Sequence, residues 1–259
     1  MDKELLTVND LTVALHDVSG GVILENVSCA VRKGAILGIV GGSGSGKTTL
    51  GMAVLGIVPS AMRVVSGQII FEGKNILDLS REEMRRVRGS RIGMVFQEPM
   101  SAFDPVFTVG AQIRETILAH RVISKSSLEK KILALLEAAG VPDPRRVAQS
   151  YSHELSGGLR QRAMIAQAIS CEPALLIADE PTSSLDVTLQ AHIMELLRRI
   201  RKDLGVSILL ISHDLGMVRN LADEVVILDR GRVVESGCTK DVMTKSKEPY
   251  TKALMECEM

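Results

Sequence analysis

Aromatic side chains are nearly missing from this chain: it has no tryptophan, and its tyrosines are Tyr151 and Tyr250. The core must therefore be built from leucine, isoleucine, valine, alanine and methionine, and a base-stacking nucleic-acid binder is disfavoured. Net charge is missing as well. Lys+Arg and Asp+Glu number 31 each, so no overall field draws the chain to DNA, RNA or anionic lipid. The four cysteines, Cys29, Cys171, Cys238 and Cys257, form no C-x-x-C pair. That argues against zinc or iron–sulfur ligation and for inert thiols in a reducing compartment. Apolar runs such as Ala174 to Ala178 are far too short to span a bilayer. The N-terminal stretch mixes acidic with apolar residues and has no h-region, so no signal peptide is expected. A membrane role would need a separate partner chain.

What is present reads as an α/β protein. The length of 259 residues suits one compact domain, or one domain carrying an inserted subdomain. Leu11 to Leu15, Val22 to Leu24 and Val27 to Val31 alternate like strands. Ile36 to Val40 is an apolar run that ends in a Gly/Ser-rich turn, followed by helical periodicity from about Lys47 to Leu55. Residues 66–79 read as a hairpin turning at Glu72-Gly73, then come a charged helix from Glu82 to Arg88 and a short strand from Ile92 to Phe96. From about 98 to 170 helical patterns dominate (Gln112 to Ala119, Leu128 to Ala139, Gly158 to Ser170), with Pro142 and Pro144 as punctuation. Ala174 to Ala178, Ser207 to Ile211 and Glu224 to Leu228 return to short apolar strands, of the kind covered on both faces.

The segment Gly41-Gly42-Ser43-Gly44-Ser45-Gly46-Lys47-Thr48 fits G-x-x-x-x-G-K-S/T between an apolar strand and a helix. Glycines let backbone N–H groups turn onto phosphate oxygens, and the helix N-terminus favours the same anion. Lys47 is expected on the β- and γ-phosphates and Thr48 on Mg²⁺, with Thr49 beside it. The alternative, a plain turn with a chance lysine, leaves the strand–loop–helix context unexplained. Asp179 and Glu180 close a second apolar strand, where ligand crevices form in such sheets. Asp179 suits Mg²⁺, and Glu180 suits polarisation of an attacking water.

Ser156-Gly157-Gly158 opens a helix. Alone, Ser156 reads as an N-cap. The same helix start is also an anion site, and a chain with its own phosphate loop would lend it to another subunit. Gln97 ends a strand, and its amide suits Mg²⁺ or the lytic water; without context a solvated loop glutamine serves equally well. His213 closes the strand from Ile208 to Ser212 and suits the γ-phosphate. The other histidines, His16, His120, His153 and His192, show no metal spacing.

Taken in order, the phosphate loop, Gln97, Leu155-Ser156-Gly157-Gly158, Asp179-Glu180, Ser183-Ser184-Leu185-Asp186 and His213 resemble the ATPase subunits of ATP-binding-cassette (ABC) transporters over nearly the whole chain. They match that family's Walker A, Q-loop, signature, Walker B, D-loop and H-switch. The resemblance implies a P-loop NTPase (RecA-like) core at 1–97 and 171–259, with an N-terminal antiparallel β subdomain and a helical subdomain inserted at 98–170. It implies ATP with Mg²⁺, hydrolysis, and a head-to-tail dimer, homo- or heteromeric. ATP would lie between Lys47 of one subunit and Ser156 of the other, with Asp186 crossing the interface. Two membrane permease subunits and an extracytoplasmic solute-binding protein would complete the machine at the cytoplasmic face of a bacterial inner membrane. Membrane contact would come only through the permeases, and no nucleic acid is expected.

A narrower likeness points to the oligopeptide/nickel importer subfamily. It rests on Arg88-Gly89, Phe96 to Ser101, Asp104-Pro105 and Glu248 to Leu254. The chain stops soon after Tyr250, without the cysteine-bearing tail of longer peptide-importer subunits. The Gly41-Gly42 loop start and Cys171 to Glu180 look nearest to the nickel branch, so nickel is the expected cargo and di- or oligopeptide the alternative. Three departures stand out. Leu159 replaces the usual glutamine of the signature. Leu15 to Val22 lacks the aromatic that usually stacks on adenine, leaving His16 or an apolar side chain to substitute. Gly42 adds flexibility to the phosphate loop. Non-transport ABC ATPases of the repair or ribosomal type need a long coiled coil or a second cassette, neither of which is visible. Glu180 and His213 argue against a non-hydrolysing subunit.

Overall fold

The computed structural model describes residues 3–16, 20–183 and 185–257, and of Cys257 the backbone alone. The chain forms two compact units, Met1–Arg85 with Ser207–Met259, and Arg86–Val206. The division differs from the expected 98–170 helical segment, because β6 (Ile92–Val95) and β7 (Leu175–Asp179) pair in parallel within the second unit. The helix Gly157–Ala168, between them in sequence, packs on β6. A Cβ on Gly93 of β6 would meet the Ala168 carbonyl at 2.3 Å, so helix and strand touch where only glycine fits.

In the first unit, β1 (Glu4–Leu15) runs antiparallel to β2 (Val22–Arg32) and to β4 (Met62–Phe71), and β4 turns into β5 (Lys74–Asn75). The turn is the expected one: Glu72 and Gly73 both have positive φ, at 50 and 81°, as a two-residue hairpin loop of the strand-matching twist requires. The sequence signal for β1 was its second half only; the strand begins at Glu4 and continues through a bulge. Leu6 and Val8 point inward, and strict alternation would next bury Asp10. Instead Asp10 adopts φ 48°, its amide donates to Ser28 Oγ at 2.8 Å, and Leu11 and Val13 take the inward positions.

The same unit holds β3 (Ile36–Val40), followed by α1 (Lys47–Val54). β3 lies parallel to β8 (Ser207–Ser212) and β9 (Glu224–Asp229), and β9 pairs antiparallel with β10 (Arg232–Cys238). Every residue of β3 and β8 is buried, which is why both read as continuous apolar runs. After β8 comes the helix Leu215–Leu221, whose Val218 packs so tightly on Gly38 that a Cβ there would sit 2.5 Å from Val218 Cγ1. Helices Thr239–Lys245 and Pro249–Cys257 close the chain.

The second unit adds the helices Val109–His120, Lys125–Ala138, Pro144–Gln149, Gly157–Ala168 and Val187–Leu204. All five start on side-chain caps, from Thr108, Ser124, Asp143, Ser156 and Asp186, and Pro144 sits at the first turn of its helix, where a missing N–H costs nothing. Of the cysteines, burial pushes the Cys29 thiol up to about 12, Cys171 is buried and Cys238 is exposed.

Gly67 of β4 is closely confined beside the β1 bulge. It has φ 99°, and a Cβ would sit 2.6 Å from Leu11 Cα and 2.7 Å from the Asn9 and Asp10 carbonyls. Backbone cannot move aside at a bulge. Gly67→Ala is expected to destabilise the chain by about 1–3 kcal/mol, read from the denaturant midpoint.

Candidate nucleotide site

The first unit contributes the phosphate loop. It leaves the buried carboxyl end of β3 and enters α1 at Lys47. Its glycines are there for room as much as for flexibility. A Cβ on Gly41 would meet the Leu228 carbonyl at 2.1 Å, and one on Gly46 (φ 100°) would meet Leu24 Cδ2 at 2.5 Å. The Gly231 amide donates to the Ser45 carbonyl at 3.1 Å and ties the loop to the β9–β10 turn. Lys47 is buried, and its Nζ donates to the carbonyls of Gly41 at 2.8 Å and Gly42 at 2.9 Å. The Ser45 hydroxyl is buried with no partner among the described residues, and the amides of Gly44 and Gly46 meet no acceptor there. A buried cation surrounded by donors that lack acceptors is the chemistry of a phosphate cradle.

His213 stands exposed directly after β8, at the same end of the parallel strands as Gly41. Asp214 beside it caps the next helix, accepting from the Met217 amide at 2.8 Å, while its own amide donates to Ser212 Oγ at 3.0 Å. His213 is thus held on a fixed turn. His16 is exposed at the end of β1, and its amide donates to the Ala61 carbonyl; residues 17–19, also within the stretch that lacks an aromatic, lie outside the described residues.

The second unit carries the remaining expected residues. Asp179 ends β7 almost fully buried, and Glu180 follows in the left-handed region at φ 48°. A non-glycine residue there is strained by about 1–2 kcal/mol, and it persists because its surroundings hold it. Here the Glu180 carbonyl accepts from both the Ser183 amide and the Ser183 hydroxyl at 3.2 Å. The turn re-aims the chain so that adjacent carboxylates do not follow strand alternation. Ser156 is the N-cap of its helix, accepting from the Leu159 amide at 3.4 Å, and it is exposed. The cap reading of Ser156 is therefore the one its hydrogen bond shows. Gly158 packs on Leu189, with a Cβ position 3.1 Å from Leu189 Cδ1, so this helix start lies beside that of Val187–Leu204. Asp186 caps the latter, accepting from the Leu189 amide at 2.9 Å. Ser184 lies outside the described residues. Gln97 is exposed in the loop after β6.

Gln112 was singled out only as the edge of a helical pattern. It is buried, and its amide is fully used: Oε1 accepts from the Asp104 amide at 2.9 Å, and Nε2 donates to the Asp104 and Phe107 carbonyls at 3.0 Å. It shapes the loop that exposes Val106 and Phe107. Tyr250 was also missed as a site residue; its phenol accepts from the Gly42 amide at 3.0 Å. An aromatic residue in a chain nearly devoid of them was the available signal.

A glycine-lined loop between a buried parallel strand and a helix, with a lysine over it, defines a phosphate-loop nucleoside triphosphatase. Comparison with known proteins narrows the class. The family description "ABC transporter" matches residues 24–183, and an AAA domain description matches residues 148–219. The Dipeptide transport ATP-binding protein DppD of Bacillus subtilis is 42% identical over 255 residues, covering 98% of this chain and 76% of its own length. The Oligopeptide transport ATP-binding protein OppD of the same organism is 43% identical over 253 residues, covering 97% of this chain and 71% of its own. A solved dimeric ATP-binding cassette in a post-hydrolysis state, bound to ADP and Pi, superposes with a TM-score of 0.81 at 26% identity, over 90% of this chain and 98% of that one. The chain belongs to the ABC transporter family, as an ATP-binding subunit that hydrolyses ATP. No helix among the described residues is long and apolar enough to cross a membrane.

The Asp186 cap has a separable structural worth. Asp186→Ala should cost about 1 kcal/mol of stability, seen as a lower denaturant midpoint, and Asp186→Ser should restore most of it.

Proposed function

We propose that this chain is the ATP-hydrolysing motor of an importer for di- or oligopeptides, acting as one half of a head-to-tail dimer. The substrate class is carried by one observation: identity of 42–43% across nearly the whole chain to subunits named for dipeptide and oligopeptide transport. The relatives named above carry peptide-transport names, so the peptide alternative takes precedence over nickel, which rests on the Gly41-Gly42 loop start and Cys171 to Glu180.

The chemistry follows from the residues. Lys47 exchanges the Gly41 and Gly42 carbonyls for β- and γ-phosphate oxygens, an exchange of neutral for anionic acceptors. Backbone amides of the Gly41–Gly46 loop other than that of Gly42, which Tyr250 holds, complete the cradle with Thr48 and Thr49. The Thr48 hydroxyl, the Gln97 amide oxygen and the Asp179 carboxylate are hard oxygen donors of the kind that would hold Mg²⁺, and such an ion would neutralise phosphate charge. Glu180 polarises the attacking water and His213 meets the γ-phosphate. Ser156, Gly157, Gly158 and Asp186 serve the partner subunit's nucleotide; the exposure of Ser156 and of Val187 (81%) beside Asp186 supports a face meant for another chain.

Transport requires a membrane partner. On the second unit Met100, Val106, Phe107 and Leu118 are each at least half exposed, and Phe107, Ala111, Arg114 and Leu118 line a groove of about 490 Å³. This apolar surface, shaped by Gln112, suits a permease segment, which supports the reading of a peripheral subunit at the cytoplasmic face of the membrane.

Two measurements test the reading. Glu180→Gln should lower ATP turnover by at least about 10²-fold while keeping ATP binding, and so accumulate an ATP-bound dimer by size exclusion; wild-type turnover removes Glu180 from its role. Deleting the gene should abolish growth on short peptides as sole amino-acid source and leave nickel accumulation intact; the reverse pattern restores the nickel reading.

A further inference from the structure

We propose that Tyr250 is a positioning residue of the nucleotide site, one that fixes the Gly41–Gly42 peptide group and through it the resting place of Lys47. This rests on the phosphate-loop reading above. The Gly41 carbonyl and the Gly42 N–H belong to one planar amide and turn as a unit. Both ends are held. The N–H donates to Tyr250 Oη at 3.0 Å, and the carbonyl accepts from Lys47 Nζ at 2.8 Å. The amide is flanked by glycine on either side, so no Cβ resists its rotation. The phenol supplies the restraint that side chains do not. A Cβ on Gly42 would sit 3.3 Å from the same phenol oxygen, so the ring packs directly over the loop.

Tyr250 is itself well placed. It lies in the first turn of Pro249–Cys257, whose next residue, Thr251, is fully buried. The approach to that helix is tied to β10: the Ser246 hydroxyl donates to Glu235 Oε2 at 2.5 Å and accepts from the Glu248 amide at 3.2 Å. A chain of bonds thus runs from β10 through Ser246 to the terminal helix, to Tyr250, and to the loop peptide. Preorganising that peptide keeps the loop amides aimed for phosphate before nucleotide arrives, which lowers the ordering cost of binding. Among the described residues the Tyr250 phenol bonds the loop peptide and none of the groups assigned to the chemical step, so its influence falls on binding and not on that step.

The test is Tyr250→Phe, which keeps the ring and removes only the hydroxyl. The KM for MgATP, and the Kd measured on the full chain by calorimetry, should rise roughly 3- to 10-fold, the worth of one hydrogen bond. The kcat should stay within about twofold, and the Gly42 amide should exchange with deuterium faster. Lys252→Ala, on the same helix and exposed, should change none of these. Unchanged KM and unchanged Gly42 exchange overturn the proposal. So does a lowered melting temperature with unchanged KM, which makes the phenol an anchor of the helix only. Lys47→Ala, run beside it, tests the phosphate-loop reading alone: retained nucleotide binding there overturns that reading, while lost binding there with a silent Tyr250→Phe overturns only the role of Tyr250.

Discussion

The site depends on one close backbone crossing, where Gly41 passes the Leu228 carbonyl with no room for a side chain between them. Parallel pairing of β3 with β9 brings these residues together, and burial of every residue of β3 fixes the strand that delivers the loop. From that crossing the loop can turn back under Gly231, close over Lys47, and start α1 with its amides pointing out of the sheet. A loop bearing a Cβ at Gly41 would have to leave the strand by another path, and the lysine would lose the carbonyls that hold it.

The second unit uses a related device with the opposite residue type. Where the phosphate loop relies on glycine to relieve crowding, the turn after β7 places a glutamate in the left-handed region and holds it by two bonds from Ser183. Strain at such a position is retained when a side chain is needed where only glycine would be comfortable. The capped helix starts at Ser156 and Asp186 sit together through the contact of Gly158 with Leu189, so two segments far apart in sequence become one surface. Caps are ordinary structural parts. Here they also leave helix N-termini at an exposed face.

Much of this was legible in the sequence, for definite reasons. Runs buried on both faces, such as Ile36 to Val40 and Ser207 to Ile211, announce themselves because no polar residue interrupts them. The Glu72-Gly73 turn was legible because positive φ at two successive positions selects few residues. The first half of β1 was hidden by its bulge: Asn9-Asp10 breaks the alternation that marks a half-buried strand, and the register recovers only because Gly67 passes beside it. The grouping of β6 and β7 with the helices was hidden too, since it depends on pairing between residues some eighty positions apart.

By itself the sequence determined the chemistry on offer: a glycine-rich loop with a lysine, an acidic strand end, a helix start able to take an anion, and a family resemblance that the comparisons uphold. These are local properties, set by residue type and spacing within a dozen positions. Only the tertiary structure decided which distant groups hold that chemistry in place. Gln112 shaping the 104–107 loop, Gly231 tethering Ser45, and Tyr250 reaching Gly42 across 208 positions are contacts made by folding. A hydrogen bond at 3 Å leaves no pattern along the chain, because its partners are chosen by where strands and helices come to rest and not by their order.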